Sequence, residues 1–425
     1  MIKSLDLYKE LQKKENYEIV FQNLANRARA DKTLYKYAPV NKELDLRWCL
    51  INKDFIIKVL KKNISKKQYK SKNKKLNIIN LGKERKIYSS NWVDKIIESL
   101  VYNLLSNYFE DIFSENLFSY RKGYSTYMCL TKFKEFLITN PNCYIIKRDI
   151  TSYFDHINPD ILKTKLKEYL KDQDEYVWQI IEDLISPHFD NKQMKSEKLE
   201  IGVPTGATFS CLAANIYLTK MDKEFSQIEG LFYSRYGDDV LIAHSDYQEI
   251  LKVKKELEVV IGEHQLEFKP SKDLMVCFNS KTKGSFNEKN HFDYLGFTIH
   301  KNGDIFISNN RVNKIKAELN RIVKKAYLNL KYNAKLSKSQ IIKSLINTTN
   351  FSLENLIVKH HLNDLIRFSD DSKKIDSLDK WIAKLVLKNI YGSTQDKVFR
   401  YCSYSKLRNL GLVSLKDIRN RRFRI

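Results

Sequence analysis

The sequence is poor in residues that interrupt regular structure, with 12 glycines and 6 prolines among 425 residues. No long linker rich in these two residues occurs, and no segment of the chain repeats another. A repeat array, in which each unit buries its apolar face against a similar neighbour, is therefore not predicted.

Long apolar runs are also missing, because no stretch of about 18 apolar residues occurs. A membrane-spanning helix is therefore not predicted. The first twenty residues are charged and patterned as a helix, without the apolar stretch or small-residue cleavage site of a secretory signal. We expect them to be the mature start of a cytoplasmic protein.

Cysteine and histidine are too scattered to form a recognisable metal site. The six cysteines include no CxxC pair and have no histidine at ligand spacing, and the eight histidines form no metal-binding motif. Neither a zinc site nor a disulfide framework is predicted. Reduced, mostly buried thiols fit a cytoplasmic protein.

Aromatic residues and positive charge, in contrast, are abundant. With 43% hydrophobic residues, 22 phenylalanines and 25 tyrosines, the chain can bury a sizeable core. The 75 lysines and arginines exceed the 51 acidic residues, and the net charge of +24 favours a polyanionic partner. A lysine-rich, solvated surface is the simpler alternative. Residues 61–75 and the basic helices after residue 310 are the candidate phosphate contacts, although 61–75 also reads as a solvated linker.

Hydrophobic periodicity changes twice along the chain. Residues 1–57 carry apolar residues at three- and four-residue spacing, which predicts helices. From residue 76, short apolar strands and helical stretches mix, with the turn signals of antiparallel hairpins. Residues 310–425 return to basic amphipathic helices. These patterns predict an α+β protein.

Acidic residues stand at the ends of apolar strands. Asp149 ends the strand YIIKRD, and Asp238 and Asp239 lie at a turn between LFYSRY and VLIAHS. Carboxylates beside a buried sheet are costly unless positive charge balances them. Two Mg²⁺ ions would do so, because Mg²⁺ prefers oxygen ligands and is shared between carboxylates and substrate phosphates. An acidic hairpin turn without catalysis is the alternative.

Further motifs surround these aspartates in a fixed order. They are KER (83–85), FSYRKGYS (118–125), RDITSYFDHI (148–157), GVPTGATFSCLAANIYLTKMD (202–222), YGDD (236–239), FKPSKD (268–273) and DYLGF (293–297). In this order the chain resembles a reverse transcriptase of the bacterial, group II intron-like kind, over roughly residues 76–300.

The resemblance implies the α+β fold of a right-hand polymerase, with fingers, an antiparallel-sheet palm and a helical thumb. It divides the chain into three parts. These are an N-terminal helical region with a basic linker (1–75), the fingers and palm of the reverse transcriptase domain (76–300), and a basic helical thumb or C-terminal region (301–425).

The catalytic residues of the family correspond to Asp149, Asp238 and Asp239. The resemblance implies that these carboxylates and the Ile150 carbonyl hold two Mg²⁺ ions, with Mn²⁺ as an alternative. It also implies that Lys83 clamps the incoming triphosphate.

Four further positions are implied to contact the nucleotide. Arg85 would join Lys83 at the triphosphate, where fixed cations offset developing charge, although an exposed basic turn is the alternative. Lys272 matches a lysine that protonates the leaving pyrophosphate, with Lys269 as a rival. Thr205 and Gly206 belong to the motif that positions the nucleotide.

Phe154 lies five positions after Asp149, where the family has an aromatic steric gate beneath the sugar. A bulky ring there excludes a 2′-OH and favours deoxynucleotides. An ordinary core phenylalanine is the alternative. The hairpin DYLGF matches the segment that grips the primer end, which implies that role for Tyr294, Leu295, Gly296 and Phe297. A core hairpin is the alternative there.

One departure from the family concerns Thr205, which stands where the family usually has glutamine. The shorter side chain cannot span the same distance, and such departures are more typical of the abortive-infection and defence-associated branch. The sequence therefore predicts an RNA-directed DNA polymerase in bacterial antiphage defence, acting in the cytoplasm. Its expected partners are an RNA template or non-coding RNA, dNTPs and a DNA product. No membrane is expected, and an oligomer is left open.

Two other functions remain open from the residues alone. RNA-dependent RNA polymerases also carry GDD, but they usually have a second aspartate in place of an aromatic gate, and Asp155 blurs that test. A non-catalytic RNA-binding protein on a polymerase fold predicts decay of the acidic residues, and all three aspartates are present.

Overall fold

The computed structural model describes residues 5–30, 45–80, 84–191, 193–279, 283–331, 336–359, 372–393 and 395–422. Its α-helices are Leu7–Glu10 (α1), Lys14–Ala30 (α2), Leu46–Ile51 (α3), Lys53–Ser65 (α4), Trp92–Glu110 (α5), Thr126–Thr139 (α6), Tyr153–His156 (α7), Pro159–Tyr169 (α8), Glu175–Ile185 (α9), Thr208–Tyr217 (α10), Thr219–Ser226 (α11), Tyr247–Glu263 (α12), Asn309–Lys331 (α13), Lys338–Lys359 (α14), Ser372–Tyr391 (α15), Tyr404–Asn409 (α16) and Leu415–Arg422 (α17). Short 3₁₀ helices span Pro270–Lys272 and Asp396–Arg400.

The strands are Lys74–Asn80 (β1), Glu84–Ser89 (β2), Cys143–Asp149 (β3), His188–Asp190 (β4), Ser196–Lys198 (β5), Phe232–Tyr236 (β6), Asp239–His244 (β7), Leu274–Phe278 (β8), Asn287–Glu288 (β9), His291–Tyr294 (β10), Phe297–His300 (β11) and Ile305–Ile307 (β12). Helices and largely antiparallel strands thus occur together, and the α+β prediction is confirmed. In the part of the chain that the structure describes, no helix is both long and apolar enough to span a membrane.

The chain forms two compact units. The first comprises residues 1–125, 143–276 and 284–286, and the second comprises residues 126–142, 277–283 and 287–425. The division of the chain at residues 75 and 300 refers to the parts of a polymerase and stays a prediction.

The central sheet of the first unit has the strand order β6-β7-β3-β8, with β7 antiparallel to both of its neighbours. β3 is buried along nearly its whole length, which explains why its sequence is apolar rather than alternating. Arg148 anchors this strand: its Nε and Nη2 donate to the Asp273 carboxylate at 3.1 and 2.7 Å, and Nη1 donates to Glu258 at 2.6 Å. The last position of β3 is thereby fixed within the unit.

A second sheet of the first unit has the order β2-β1-β4-β5. β1 and β2 form an antiparallel hairpin, and β4 joins β1 in parallel. The buried Lys74 ammonium pairs with the buried Glu98 carboxylate, which ties β1 to α5. The Tyr88 ring on β2 packs edge-on against Phe189 on β4 with 5.2 Å between ring centres.

Helix α10 packs in the interior of the first unit. Nearly all of its side chains from Phe209 to Tyr217 are buried, which agrees with a sequence that is apolar all round. Tyr153 on α7 is also buried and donates its hydroxyl to the Ala214 carbonyl at 2.5 Å. This contact fixes the short helix that carries Phe154.

The second unit contains the small sheet β10-β11-β12 and most of the C-terminal helices. Its core is formed by the apolar faces of α13, α14 and α15, with Leu319, Leu345 and Ile382 fully or almost fully buried. α6 packs on the sheet through Phe133, whose ring meets Phe292 edge-on at 5.9 Å.

Candidate active site

The hairpin β6–β7 carries two of the predicted catalytic aspartates. Tyr236 and Asp239 are the last paired residues, so Gly237 and Asp238 form a two-residue loop. Gly237 has φ +68°, which a glycine adopts without the strain of a side chain. The predicted arrangement of strand, tight turn and strand is confirmed.

Asp149 lies directly beside this loop. The register of β3 against β7 pairs Asp149 with Asp239. One residue further on, the Ile150 N–H donates to the Asp238 carbonyl at 2.9 Å. The structure therefore brings Asp149, which is far from Asp238 and Asp239 in the sequence, to the same end of one strand pair as these two residues.

Burial and proximity shift the pKa values of these carboxyl groups. Burial raises the pKa of Asp238, and the charge of Asp149 raises it further. Burial also raises the pKa of Asp239 to about 6, although Lys147 acts in the opposite direction. Lys147 shares a face of β3 with Asp149, because side chains two apart on a strand point the same way. Burial and the mutual repulsion of the carboxylates therefore both disfavour their charged forms at this site.

Lys272 supplies a cation at this site. Its Nζ forms an ion pair with the Asp149 carboxylate, and this hydrogen bond raises the pKa of Lys272. Lys269, the alternative candidate, uses its backbone N–H to donate to the Asp149 carbonyl at 2.8 Å. Of the two lysines, Lys272 therefore has the direct side-chain contact with the acidic cluster.

A buried ion pair lies behind the hairpin. Arg235 and Asp222 are both completely buried, and the Arg235 Nε and Nη2 donate to the Asp222 carboxylate at 2.7 and 2.6 Å. Tyr233 donates its hydroxyl to the same carboxylate at 2.7 Å. Two charges removed from water in this way need close pairing and full hydrogen bonding, and both are present here.

Both polar groups of the Gly237 backbone are held by side chains. The Gly237 N–H donates to the Ser119 Oγ at 2.8 Å, and the Gly237 carbonyl accepts from Arg235 Nη1 at 3.2 Å. Asn215 completes the network by donating its side-chain amide to the Ser119 carbonyl at 2.9 Å. The two peptide groups that flank Gly237, the residue before Asp238, are thus each held by a side chain.

Sequence reasoning missed this network. A charged residue inside the apolar strand LFYSRY was the available signal for Arg235, since a buried charge needs a partner. Its partner could not be identified, because Asp222 is separated from it in sequence and the intervening residues carry no motif that pairs the two.

A cavity of about 1050 Å³ adjoins the acidic residues. The residues that line it include Glu84, Arg85, Lys86, Tyr88, Phe154, Phe189, Thr205 and Asp238. The structure therefore brings Arg85, Phe154 and Thr205 to the same space as Asp238. Lys83 lies outside the described residues.

Phe154 is held firmly at the wall of this cavity. Its carbonyl accepts from the Val203 N–H at 2.8 Å. Gly202 has φ +81°, and a Cβ atom there would lie 2.9 Å from the same carbonyl. The Phe154 ring meets the ring of Tyr120 edge-on, with 6.1 Å between centres. The ring is half-buried and faces the cavity, which a fully internal core residue would not do.

Thr205 and Gly206 belong to a loop bonded to β2. The Thr205 carbonyl accepts from the Tyr88 N–H at 2.9 Å. Gly206 has φ +100°, and a Cβ atom there would lie 2.8 Å from the Ile87 side chain. Thr205 lines the cavity, whereas Gly206 is not among its described lining residues. Gly206 instead allows the loop backbone to lie close to β2.

The family comparison matches residues 64–299 to the model described as "Reverse transcriptase (RNA-dependent DNA polymerase)". This match covers more than half of the chain, including the strand pair, the hairpin loop and the cavity. The chain belongs to the reverse transcriptase family. The prediction of this family and of a polymerase fold is thereby confirmed.

Solved structures that resemble the chain include telomerases of two Candida species. Apo telomerase from Candida tropicalis superposes with a TM-score of 0.47 at 16% identity, covering 80% of this chain and 62% of that chain. A form truncated from its C-terminal domain gives 0.45 at 16% identity, covering 56% and 55%. Telomerase from Candida albicans with a TWJ fragment of telomeric RNA gives 0.45 at 12% identity, covering 85% and 68%. The chain spans about 55–62% of the length of the two Candida tropicalis structures.

The donor set of this reverse transcriptase site fits divalent metal ions. Among the described residues no group of three or more His, Cys, Asp or Glu side chains is close enough to hold an ion by itself. Mg²⁺ does not need such a group, because it usually takes one or two carboxylates together with substrate phosphates. Asp149, Asp238 and Asp239 supply hard oxygen donors whose mutual repulsion an added cation would relieve.

The predicted primer-grip hairpin lies in the second unit. Leu295 and Gly296 form its two-residue loop, with φ +48° and +83°. The Arg311 Nη1 donates to the Leu295 carbonyl at 3.2 Å. Tyr294 and Phe297 are completely buried, so their side chains build the core of this unit. Of the four predicted primer-grip residues, Leu295 and Gly296 are the partly exposed ones.

Proposed function

We propose that this protein is an RNA-directed DNA polymerase that adds deoxynucleotides to the end of a growing strand. The main support is the pairing of Asp149 with Asp239 at the end of two strands, with Asp238 in the adjoining loop at a nucleotide-sized cavity. A basic residue, an aromatic ring and a hydroxyl line the same cavity, as a triphosphate, a sugar and a base would require.

Asp149, Asp238, Asp239 and the Ile150 carbonyl are the groups that would hold two Mg²⁺ ions, with Mn²⁺ as an alternative. When bound, such ions stabilise the attacking and the leaving oxygen of nucleotidyl transfer. The protein holds the carboxylates in register through the β3–β7 pairing and the network around Gly237. That rigidity matters because a displacement of about 1 Å at a reacting group can cost about 100-fold in rate.

The remaining side chains act on the nucleotide. Arg85 is exposed at the cavity and would bind the triphosphate. The Phe154 ring would occupy the space of a ribose 2′-OH and so exclude ribonucleotides. Lys272 keeps its proton through the contact with Asp149 and would deliver it from Nζ to the departing pyrophosphate.

The direct test of this proposal is product analysis with purified protein. RNA that co-purifies with the protein is sequenced, and each dNTP is then supplied singly and in the full mixture. We expect a product that resists ribonuclease, is degraded by deoxyribonuclease and carries the complement of the bound RNA. A product made from ribonucleotides alone would favour an RNA polymerase, and the absence of any product under all metal conditions would refute the proposal.

The biological setting we propose is bacterial antiphage defence in the cytoplasm, with a non-coding RNA as partner. The support is Thr205, which replaces the usual glutamine of the family and offers one hydroxyl on a stiff, β-branched stem. Positioning of the nucleotide would then depend more on Arg85, the metal ions and base pairing.

Replacing Thr205 with glutamine tests this second part. We expect Thr205→Gln to change the sequence or length of the products more than their metal dependence, as measured by sequencing products from the same co-purified RNA. Protection of cells against phage should fall in parallel with the altered products. Identical products at identical rates would remove the main support for the defence role.

A further inference from the structure

One face of α15 carries two basic side chains between two aromatic ones. Trp381, Lys384, Lys388 and Tyr391 follow one another at spacings of three, four and three residues. Side chains three and four apart are neighbours on a helix surface, so these four form one stripe. At about 1.5 Å per residue the stripe is about 15 Å long.

Helix α13 contributes the facing wall at the Trp381 end of this stripe. Lys316 Nζ lies 5.5 Å from the centre of the Trp381 ring, and Lys388 Nζ lies 3.4 Å from Asn320 Oδ1. Between the two helices is a cavity of about 250 Å³, lined by Lys316, Ala317, Asn320, Trp381, Lys384, Leu385 and Lys388. This described lining holds three ammonium groups and an indole ring but no carboxylate.

A second aromatic surface lies at the Tyr391 end. The rings of Tyr391 and Tyr401 stack with 4.7 Å between centres and an angle of 9°. Lys338 Nζ lies 5.9 Å from the centre of the Tyr391 ring. Tyr401 is 65% exposed, so this stacked pair leaves one ring face open to a further planar group.

The positive charge of the stripe is only partly compensated. Lys384 pairs with Asp396, whose side chain is 84% exposed. Lys316, Lys338 and Lys388 form no ion pair with the residues that the structure describes. An anion bound at the stripe could therefore form ion pairs with Lys316, Lys338 and Lys388.

We propose that this stripe of the second unit binds unpaired nucleotides of a single-stranded nucleic acid, separately from the polymerase site. The lysines would contact the phosphates, and bases would stack on Trp381 and Tyr401. Positive grooves combined with aromatic platforms are how proteins bind single strands without sequence preference. In a duplex the base faces are already stacked on one another, so a duplex could use the lysines but not the rings.

Binding of short single strands to the full-length protein tests the proposal. The titration uses oligo(dT) and oligo(U) without nucleotides or divalent ions, so its outcome does not depend on polymerisation. Tryptophan fluorescence should be quenched on binding, because a base stacks on Trp381. Trp381→Leu should weaken the affinity by about tenfold, which is within the range for loss of one base–aromatic stack.

Two variants serve as controls for folding and for charge. Trp381→Phe keeps an aromatic ring and should retain most of the affinity while losing most of the quenching. Lys252→Gln removes an exposed lysine of α12 in the first unit, outside the stripe and outside the basic helices after residue 310, and should change neither signal. Trp381→Leu and Trp381→Phe should unfold at similar temperatures.

The proposal is overturned if folded Trp381→Leu binds both oligonucleotides as the wild type does. It is also overturned if a duplex of equal length competes as well as the single strand, because the rings would then play no part. Comparing oligo(dT) with oligo(U) identifies which strand is preferred, and a preference for either one supports the stripe as a single-strand site.

Discussion

At the scale of single residues, the proposed selection of deoxyribose depends on Phe154, which lines the cavity. The ring is fixed on its backbone side by the Val203 hydrogen bond and on its side-chain side by the Tyr120 and Tyr153 rings. Because the ring is held in place, it would discriminate against ribonucleotides through a steric clash with their 2′-OH.

Phe154→Ala should therefore raise the incorporation of ribonucleotides relative to deoxynucleotides. The removed ring opens space beneath the sugar, and a change of about tenfold or more in the ratio of the two kcat/KM values is expected, corresponding to about 1.4 kcal/mol. The measurement is single-nucleotide extension with matched ribonucleotide and deoxynucleotide substrates.

Phe189→Leu is the matched control, because Phe189 lines the same cavity next to Tyr88 and away from the predicted position of the sugar. Phe189→Leu should leave the ratio of ribonucleotide to deoxynucleotide kcat/KM unchanged. An unchanged ratio in an active Phe154→Ala enzyme would mean that the ring serves only in packing.

The sequence was sufficient for most of the acidic site and insufficient for what supports it. Asp149, Asp238 and Asp239 could be predicted as one site because they end apolar strands and because their motifs follow the order of the reverse transcriptase family. Ser119 and Arg235 could not, because they hold the backbone on either side of Gly237, and that depends on three-dimensional packing.

At the scale of elements, the hairpin loop depends on the buried pair of Arg235 and Asp222. A buried ion pair is weak evidence for stability, since apolar residues of similar size often replace it without loss. Arg235 also donates to the Gly237 carbonyl, so we expect the pair to position the hairpin loop rather than to stabilise the fold.

Removing one partner of this pair should destabilise the fold strongly. Arg235→Met leaves the Asp222 carboxylate buried without its cation, which typically costs about 3–5 kcal/mol. The double variant Arg235→Met with Asp222→Asn should recover much of that stability, as measured by urea unfolding. It should remain slow in nucleotide addition, because nothing then holds the Gly237 carbonyl.

Lys74 and Glu98 offer the comparison, as a buried ion pair of the same unit with no contact to the loop. The double variant Lys74→Met with Glu98→Gln should keep near-normal activity at equal stability. Equal activity of the two double variants would contradict a positioning role for Arg235.

Helix α15 carries a buried carboxylate, Asp379, which makes the stability of the fold depend on pH. Asp379 accepts from the Leu415 N–H at 2.8 Å at the start of α17, but burial raises the pKa of Asp379 to about 6. The folded state therefore holds a proton that the unfolded chain has already released above about pH 4. The stability from this group is present at low pH and is lost as the pH rises through about 6.

Asp379→Asn should remove this dependence while keeping an oxygen for Leu415. Relative to the wild type, the variant should gain on the order of 2 kcal/mol between about pH 4 and pH 7, because a pKa difference of one between the folded and unfolded states corresponds to about 1.4 kcal/mol. Urea unfolding at both pH values measures the difference. Asp376→Asn, an exposed carboxylate of the same helix, is the control, and equal pH profiles for all three proteins would contradict the assignment.

Elements with strong local signals were predicted well, and those set by packing were not. The hairpin turn signals after residue 76 include Asn302 and Gly303, which form the β11–β12 connection. The linker interpretation of residues 61–75 is wrong at the start of that segment, because α4 extends through Ser65 with its apolar face buried. Only the family resemblance placed Leu295 in a hairpin, because leucine at positive φ is not a turn signal.

At the scale of the whole molecule, the net charge of +24 predicts binding that depends on salt. Each phosphate neutralised by a lysine or arginine adds about −0.7 to −0.9 to the slope of log affinity against log salt. Three lysines are exposed here: Lys62 in the last turn of α4, and Lys66 and Lys70 between α4 and β1.

Replacing these three lysines with glutamine should make the slope for RNA binding less steep by about 2, if each contacts one phosphate. Fluorescence anisotropy between low and moderate salt provides the slopes. A slope equal to that of the wild type would mean that this segment is a solvated linker.

The most direct test of the central claim is nucleotide addition by the double variant Asp238→Ala, Asp239→Ala. The control is Asp304→Ala, which removes a carboxylate from a hairpin turn of the second unit. We predict that the double variant folds and binds nucleic acid as the wild type does, because phosphate contacts come from lysine and arginine elsewhere. It should make no detectable product, while Asp304→Ala stays active. Continued synthesis by the folded double variant would contradict the assignment of the active site.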